Sequence, residues 1–296
     1  GLNVNLLAYS ITTQYRIDST DQCGSYKYSP VLSPRIGISF LHGKNIRSYA
    51  SAGHGFSAPS IEETLLPEGA INTSLRPESG WNFDLGNRGI LFEGKLEYDL
   101  ALYSILLEYL LVTERLAEDI FTGVNAGSTW NRGVEVLVRG RLKQQDESQP
   151  YNAGLQLSYH LSKNTFREFV DDGIDFSGKE LPGIPGQMLR TDFTAKIKGL
   201  KISIQHSFNG EQWMNDNNDE KYEAFQLVHL RLQWDITPVT IPFEFQIYGG
   251  IRNLFNRHHA SMILVNAPSF GGRAPRYFYP GIPRYLFLGL RINFHK

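Results

Sequence analysis

A two-residue periodicity runs through most of this chain and constrains its fold more than any other feature. Between residues 151 and 161, Tyr151, Leu155 and Leu161 fall on one side of an extended backbone, whereas Gln156 and His160 fall on the other. Residues 228–236 and 286–294 alternate in the same way. Such alternation is typical of a β-strand with one apolar and one polar face. Similar segments along the chain predict about twelve strands.

The connections between these strands alternate between short turns and long loops. The short turns are expected at residues 42–44, 93–94, 144–150, 198–199 and 237–242. The long loops are expected at residues 17–29, 54–80, 111–132, 163–188, 209–222 and 256–283. An up-and-down membrane barrel sorts its connections in this way, with short turns on the periplasmic side and long loops outside the cell. The sequence therefore predicts an all-β, antiparallel, up-and-down transmembrane β-barrel wall.

The alternation also predicts which side chains meet lipid and which face the lumen. A lysine or arginine that faces lipid at the bilayer midplane costs about 2–4 kcal/mol, so the apolar set should point outward. The residues expected to face lipid are Leu155, Leu157, Tyr159, Val228, Leu230, Leu232, Leu286, Leu288 and Leu290. The residues expected to face the lumen are Gln156, Ser158, Arg190, Lys196, His229, Arg231, Gln233 and Arg291.

Composition excludes several other classes of protein. The net charge of −1 argues against a nucleic-acid partner, which would need a basic surface. The single cysteine, Cys23, excludes an internal disulfide framework and a cysteine-based zinc site. No apolar run is long enough for a membrane helix. Neither a phosphate-binding glycine loop nor a nucleophile elbow stands between a strand and a helix, so we expect no enzyme activity. We also expect no cofactor and no metal site.

Short segments that resemble one protein family follow one another along most of the chain. They are GFSAPSIEETL at residues 55–65, NTSLRPE at 72–78 with WNFDLG at 81–86, NAGST at 125–129 followed by GVE at 133–135, NLFN at 253–256 and PGIPR at 280–284. In this order and spacing they resemble segments of the TonB-dependent outer-membrane receptors of Gram-negative bacteria. One departure is that His295 and Lys296 follow Phe294, whereas the family usually ends on the aromatic residue.

The resemblance implies a barrel of about 22 strands that encloses an N-terminal plug domain. Residues 1–296 would then be the C-terminal part of that barrel, without the plug and the first strands. The implied function is TonB-energised uptake of a scarce nutrient, most often a ferric siderophore and less often haem or cobalamin. The implied partners are that ligand, the lipid of the outer membrane, and TonB acting through the plug region.

Candidate ligand-binding residues lie in the predicted external loops. Histidines could capture haem, and a flexible loop with basic and aromatic side chains could hold an anionic ferric chelate by charge and stacking. The candidates are His54, His258, His259, Arg273, Arg276, Tyr277 and Tyr279. The structural alternative is that these side chains only pack on the barrel rim. Two carboxylate-rich loops, residues 171–175 and 216–220, are interpreted as solvated because they lack the spacing of a calcium-binding loop.

Three other functions remain open at this point. A passive porin or adhesin of about twelve strands, complete as it stands, would show a signal peptide and a constriction loop. A soluble carbohydrate-binding β-sandwich would have loops of similar length at both ends of its sheets. An outer-membrane hydrolase is the weakest alternative, because no Ser/His pair stands at a suitable spacing.

Overall fold

Nearly all of the regular structure consists of β-strands. The computed structural model describes residues 2–5, 8–11, 24–64, 66, 71–117, 120–141, 151–171, 173–236, 243–269, 272 and 274–294. The strands are β1 (Leu2–Asn5), β2 (Ala8–Ile11), β3 (Gly24–Lys27), β4 (Val31–His42), β5 (Ile46–Ser57), β6 (Glu78–Leu91), β7 (Leu96–Glu108), β8 (Leu111–Ala117), β9 (Ile120–Asn125), β10 (Ser128–Arg141), β11 (Tyr151–Glu168), β12 (Val170–Asp171), β13 (Ile174–Asp175), β14 (Gln187–Ile197), β15 (Leu200–Asn209), β16 (Gln212–Trp213), β17 (Lys221–Tyr222), β18 (Phe225–Ile236), β19 (Phe243–Arg252), β20 (Ala260–Ile263), β21 (Phe278–Pro280) and β22 (Tyr285–Phe294). One helical turn, α1 (Ile61–Thr64), and one 3-10 turn, Phe92–Gly94, accompany them.

A single antiparallel sheet of 12 strands forms the wall of the molecule, in the order β1-β4-β5-β6-β7-β10-β11-β14-β15-β18-β19-β22. Each wall strand therefore pairs with the next wall strand along the chain. This arrangement confirms the predicted antiparallel up-and-down topology and excludes a Greek-key sandwich, which would split the strands between two packed sheets. Among the residues that are described, the sheet is open, because no ladder joins β1 to β22.

The remaining strands form small hairpins inside the long connections. The pairs are β2–β3, β8–β9, β12–β13, β16–β17 and β20–β21. They all branch from the same end of the wall, which we call the long-loop end, and the opposite end is called the short-turn end. At the short-turn end, Lys198 and Gly199 both have positive φ, 46° and 85°, and join β14 to β15 in a two-residue turn. Turns with this backbone geometry match the right-handed twist of the strands that they connect.

Several predicted boundaries were wrong. Residues 54–80 are not all loop, because β5 extends to Ser57 and β6 starts at Glu78. Residues 2–16 are not one strand, because β2 leaves the wall and pairs with β3. Residues 111–132 are not all loop, since β10 starts at Ser128, and β11 continues to Glu168 where a loop was expected from residue 163. At the long-loop end, the backbones of β10 and β11 continue to pair in segments where the sequence no longer alternates. The predicted turns at residues 144–150 and 237–242 lie outside the described residues.

The ladder registers divide the wall into two faces of opposite character. Leu155, Phe193 and Ile204 pair across β11, β14 and β15 on the apolar face, and the same face continues through Leu230 to Ile251. Gln156, Asp192, Gln205 and His229 pair on the opposite, polar face. Every residue that was expected to face lipid falls on the apolar face, and every residue expected to face the lumen falls on the polar face. The predicted division of these residues between two opposite faces is therefore confirmed.

The apolar face is exposed rather than packed into a core. Leu288 is 83% exposed and Ile36 is 73% exposed, on strands near opposite edges of the sheet. A water-soluble protein rarely leaves so many contiguous apolar side chains uncovered. None of the helices in the described part of the chain is long and apolar enough to cross a membrane.

Candidate ligand-binding site

The GFSAPS segment anchors the connection between β5 and β6. Ser60 and Glu63 form a reciprocal cap at the start of α1, in which the Ser60 amide donates to Glu63 Oε2 at 2.6 Å and the Glu63 amide donates to Ser60 Oγ at 3.2 Å. Pro59 and Thr64 are fully buried. The amide of Asn72 donates to the Thr64 carbonyl at 2.7 Å, which ties the loop back onto α1. This segment therefore shapes the base of the loop.

The NAGST segment holds the next long connection against the same base. The Asn125 side-chain amide donates to the carbonyls of Arg76 and Tyr109 at 2.9 and 2.8 Å, while its oxygen accepts from the Arg76 amide at 2.7 Å. Gly127 follows with φ of 83°, and Thr129 at the start of β10 is completely buried. Two family-like segments that are far apart in sequence thus meet in one hydrogen-bonded network.

The NLFN and PGIPR segments form a second network at the far side of the wall. Asn253 is 2% exposed and has φ of 51°. Its side-chain amide donates to the carbonyls of Arg257 and Ile282, at 2.9 and 3.3 Å, and its oxygen accepts from the Arg257 amide at 2.8 Å. Asn256 Oδ1 accepts from the Arg284 amide at 2.9 Å. The two segments therefore fasten the last long connection to the wall between β19 and β22.

The structure brings together some of the predicted ligand residues and separates one of them. His258 is exposed, and His259 packs on Phe225 with ring centroids 5.5 Å apart. Arg276 and Tyr279 are exposed on the same connection, and Tyr277 is half-buried. Arg273 lies outside the described residues.

His54 occupies a different part of the wall from the other candidates. It lies on β5 opposite Trp81 of β6, and the two rings meet edge to face with centroids 5.2 Å apart. Its register places it on the apolar face, away from the long connection that carries the other candidates. His54 therefore belongs to an aromatic surface on the outside of the wall and not to the loop cluster.

Three long connections are clasped together by polar contacts. Asn266 Nδ2 donates to Asp216 Oδ2 at 2.6 Å, and the Asp216 amide donates to Asn266 Oδ1 at 3.0 Å. Asn218 donates to the carbonyl of Glu180 at 2.8 Å and accepts from its amide at 2.7 Å. Lys179 Nζ donates to the Asn217 carbonyl at 2.9 Å. This loop clasp, comprising residues 179–180, 215–218 and 266, gives the long-loop end a fixed rim.

Two carboxyl groups in the long connections have shifted pKa values. Burial raises the pKa of Asp216, and the neighbouring Asp171 carboxylate raises it further, against the lowering effects of Asn266 and Lys179. Hydrogen bonds from the Ser177 side chain and amide lower the pKa of Asp175. Asp216 is thus protonated more readily than an ordinary aspartic acid, whereas Asp175 is ionised more readily. In the described residues, no three acidic, histidine or cysteine side chains are placed to hold a metal ion.

A basic cavity of about 400 Å³ opens on the polar face. It is lined by Lys201, Ser203, Gln205, His229, Leu230, Arg231, Gln233, Arg252 and Phe287. Three of these side chains are permanent cations, and none of the described lining residues is a carboxylate. Arg231 also stacks over the Tyr248 ring, 5.0 Å from its centroid. The cavity therefore combines positive charge with aromatic surface, which suits an anionic ligand that carries π systems.

Sequence reasoning placed His229, Arg231 and Gln233 on this face but did not single out Lys201 or Arg252 as functional residues. Both occupy polar positions in alternating strands, so their face was predictable. Their proximity was not, because it depends on the register that sets Lys201 opposite Gln233 and Arg231 opposite Gly250.

The sequence matches the model of the TonB dependent receptor-like β-barrel family over residues 2–254. The chain belongs to that family. It is accordingly an outer-membrane protein, and the family is one of transport receptors rather than enzymes. The chain is also similar to the ferric-pyoverdine M114 receptor PbuA of Pseudomonas sp. (strain M114), with 26% identity over 115 residues, which is 38% of this chain and 13% of that receptor.

Solved structures of TonB-dependent receptors share the fold. The ferripyoverdine receptor of the outer membrane of Pseudomonas aeruginosa aligns with a TM-score of 0.62 and 19% identity, over 92% of this chain and 34% of that one. The siderophore receptor PiuA from Acinetobacter baumannii aligns with a TM-score of 0.67 and 17% identity, over 99% of this chain and 40% of that one. The chain thus spans well under half the length of the receptors that it resembles.

Proposed function

We propose that this chain is the C-terminal part of a receptor that imports a ferric siderophore with energy from TonB. The observation that carries the proposal is the polar-face cavity with Lys201, Arg231 and Arg252 and no carboxylate among its described lining residues. Cations on the lumen side of a barrel attract the anionic oxygens of a ferric chelate, and they do so strongly where water is restricted. The relatives that carry ferric-pyoverdine and siderophore receptor names support the same ligand class.

The candidate loop residues would make the first contact with the ligand. We propose this role for Arg273, Arg276, Tyr277 and Tyr279, and for His258 and His259 beside them. The exposed arginine and tyrosine side chains offer charge and stacking on the last long connection. We leave His54 out of this site because its ring packs on Trp81 at the apolar face.

We propose that the full-length receptor contains further strands and a plug domain in addition to this chain. Further strands would close the wall between β1 and β22, and a plug inside the lumen would transmit the pull of TonB. We propose that the receptor transports its ligand without changing it chemically. By itself, the 296-residue chain should therefore neither conduct ions across a planar bilayer nor take up a chelate. Stable pores formed by this chain alone would favour the passive porin instead.

Uptake of radioactive iron by cells that carry the full-length receptor tests the proposal. Iron should be supplied as ferripyoverdine and as other ferric siderophores, because one relative is named for ferric pyoverdine and another for siderophores in general. Uptake should require TonB. Changing Lys201, Arg231 and Arg252 together to glutamine should reduce it strongly, whereas Arg291→Gln, which removes a polar-face cation outside the cavity lining, should have little effect. Uptake that persists without TonB would contradict the proposal.

A further inference from the structure

A belt of aromatic side chains lies at the long-loop end of the apolar face. One row of the register passes from Trp81 on β6 through Leu106 to Trp130 on β10. The next row toward the bilayer centre passes from Phe83 through Ser104 to Arg132 and on to Lys163 of β11. All three aromatic side chains of these rows are exposed. Aromatic belts of this kind mark the depth at which a barrel meets lipid headgroups.

Arg132 and Lys163 break the separation of charge between the two faces. All other lysine and arginine residues that are paired in the ladders of the described wall strands fall on the polar face, including Arg35, Arg88 and Lys196. Arg132 and Lys163 instead pair directly with each other on the apolar face. A pair of like charges directly opposite one another in a ladder is destabilising unless a third group compensates them.

No described carboxylate compensates these two cations. The Arg132 guanidinium lies 3.7 Å above the centroid of the Trp130 ring, and its Nη1 is buried and has no hydrogen-bond partner. The described residues provide no carboxylate within ion-pair distance of Arg132 or Lys163. Trp130 is itself fixed, because its Nε1 donates to Ser104 Oγ at 2.9 Å. The result is a rigid aromatic platform that carries two unpaired positive charges and faces lipid.

We propose that Arg132 and Lys163 bind the phosphate of an anionic lipid in the external leaflet of the outer membrane. A phosphate placed between the two side chains would relieve their mutual repulsion. Trp130 and Trp81 would flank the headgroup, and the apolar rows below them would contact the acyl chains. The lysine and the arginine each contribute about fivefold to the affinity for such a lipid.

Lipid retention by the full-length receptor measures this site directly. The receptor would be placed in nanodiscs of zwitterionic phosphatidylcholine that contain a small fraction of phosphorylated lipid A, and the bound lipid would be counted by native mass spectrometry. Arg132→Gln and Lys163→Gln should each lower the affinity about fivefold, and the double variant about 25-fold. Lipid A without its phosphates should bind the unaltered receptor no better than it binds the double variant.

Two controls separate the site from general effects of charge or folding. Lys196→Gln removes one positive charge from the polar face and should leave lipid retention unchanged. Arg132→Lys keeps the charge and should retain most of the binding. Each variant should migrate as a folded barrel on an unheated gel, which shows that assembly is intact. Equal lipid retention by the double variant and the unaltered receptor, or an equal loss with Lys196→Gln, would overturn the proposal.

Discussion

Asparagine side chains explain much of what the family-like segments do at the scale of single residues. Asn125 and Asn253 each use both ends of the side-chain amide, because the nitrogen donates and the oxygen accepts. Asparagine also tolerates the left-handed backbone that Asn253 adopts at φ of 51°. An aspartate would lose the donors, and a glycine would lose the side chain. These positions are therefore set by loop geometry and not by contact with a ligand.

Asn253→Ala tests this structural role. The change should lower the free energy of unfolding by about 1–3 kcal/mol, because it leaves buried carbonyl and amide partners unsatisfied and removes the preference for positive φ. Guanidinium unfolding of the full-length receptor in detergent measures the loss. Asn293→Ala serves as the control, since Asn293 is exposed on the edge strand β22 and should tolerate the change. Equal stability of the two variants would contradict the role assigned to Asn253.

Gly127 has a requirement beyond its positive φ. A Cβ at this position would overlap the Glu168 carbonyl oxygen, whereas a Cβ at Gly43, which has φ of 69°, would meet nothing within 4 Å. Gly43→Ala should therefore cost about 1–2 kcal/mol through backbone strain alone. Gly127→Ala should cost about 1–3 kcal/mol more than Gly43→Ala, because the backbone at the start of β10 or at the end of β11 must shift. Similar unfolding midpoints for the two variants would show that the close contact is absent.

At the scale of elements, the long connections behave as folded units with their own packing. Phe166, Phe169 and Phe176 form a small buried cluster above β11, supported by Val112, Ala126 and Leu181. The loop clasp joins the β16–β17 hairpin to two other connections through hydrogen bonds rather than through an apolar core. Because these contacts are polar and exposed, the hairpin should open at lower energetic cost than the wall strands.

The clasp should respond to pH through Asp216. Burial raises the pKa of this carboxyl in the clasped state, so the clasp is strongest below the ordinary pKa of an aspartic acid and weakens as pH rises through the raised value. Spin labels at Glu223→Cys and Leu264→Cys, in a Cys23→Ser background, should report a broader distance distribution at the higher pH. Burial is the largest cause of the raised pKa, and the facing charges that modify it are Asp171, which raises it, and Lys179, which lowers it.

Asp216→Asn provides the matched control for this pH response. The asparagine side chain is neutral at every pH and can still accept a hydrogen bond from Asn266. The distance distribution should therefore stay narrow across the same pH range. A pH-dependent broadening that survives Asp216→Asn would assign the response to another group.

For the whole molecule, the decisive property is the separation of polar and apolar side chains between the two faces of one sheet. Leu232 on the apolar face and Gln233 on the polar face are neighbours in sequence but meet lipid and lumen respectively. The wall has few buried side chains, so lipid takes the place of a protein core. Stability then depends on complete backbone pairing and on keeping charge out of the apolar band.

Placing the same charge at these two neighbouring positions tests the orientation of the wall. Leu232→Arg should destabilise the receptor by about 2–4 kcal/mol and lower its amount in the outer membrane, because the guanidinium would face hydrocarbon. Gln233→Arg should assemble nearly normally, because its side chain enters the polar face. The amount of folded receptor in isolated outer membranes is the measurement. If Gln233→Arg were the more damaging change, the assignment of the two faces would be reversed.

The sequence by itself determined the topology, the faces and the family. Period-two alternation gives the face of each residue without knowledge of its partners, and alternating connection lengths give the up-and-down order. Strand limits were less accessible, because β10 and β11 extend into the non-alternating segments beginning at Ser128 and ending at Glu168. There the continued pairing of backbone groups, and not the side-chain pattern, decides the structure.

Only the tertiary structure decided which side chains come together. The cavity joins Lys201, Arg231 and Arg252 from three strands, and the apolar face pairs Arg132 with Lys163. His54 looked like a loop residue in the sequence but lies beside Trp81 on the outside of the wall. These neighbours depend on the register of adjacent strands, and a shift of one residue would move each side chain to the other face. Register is fixed by pairing between segments distant in sequence, so the local pattern could not supply it.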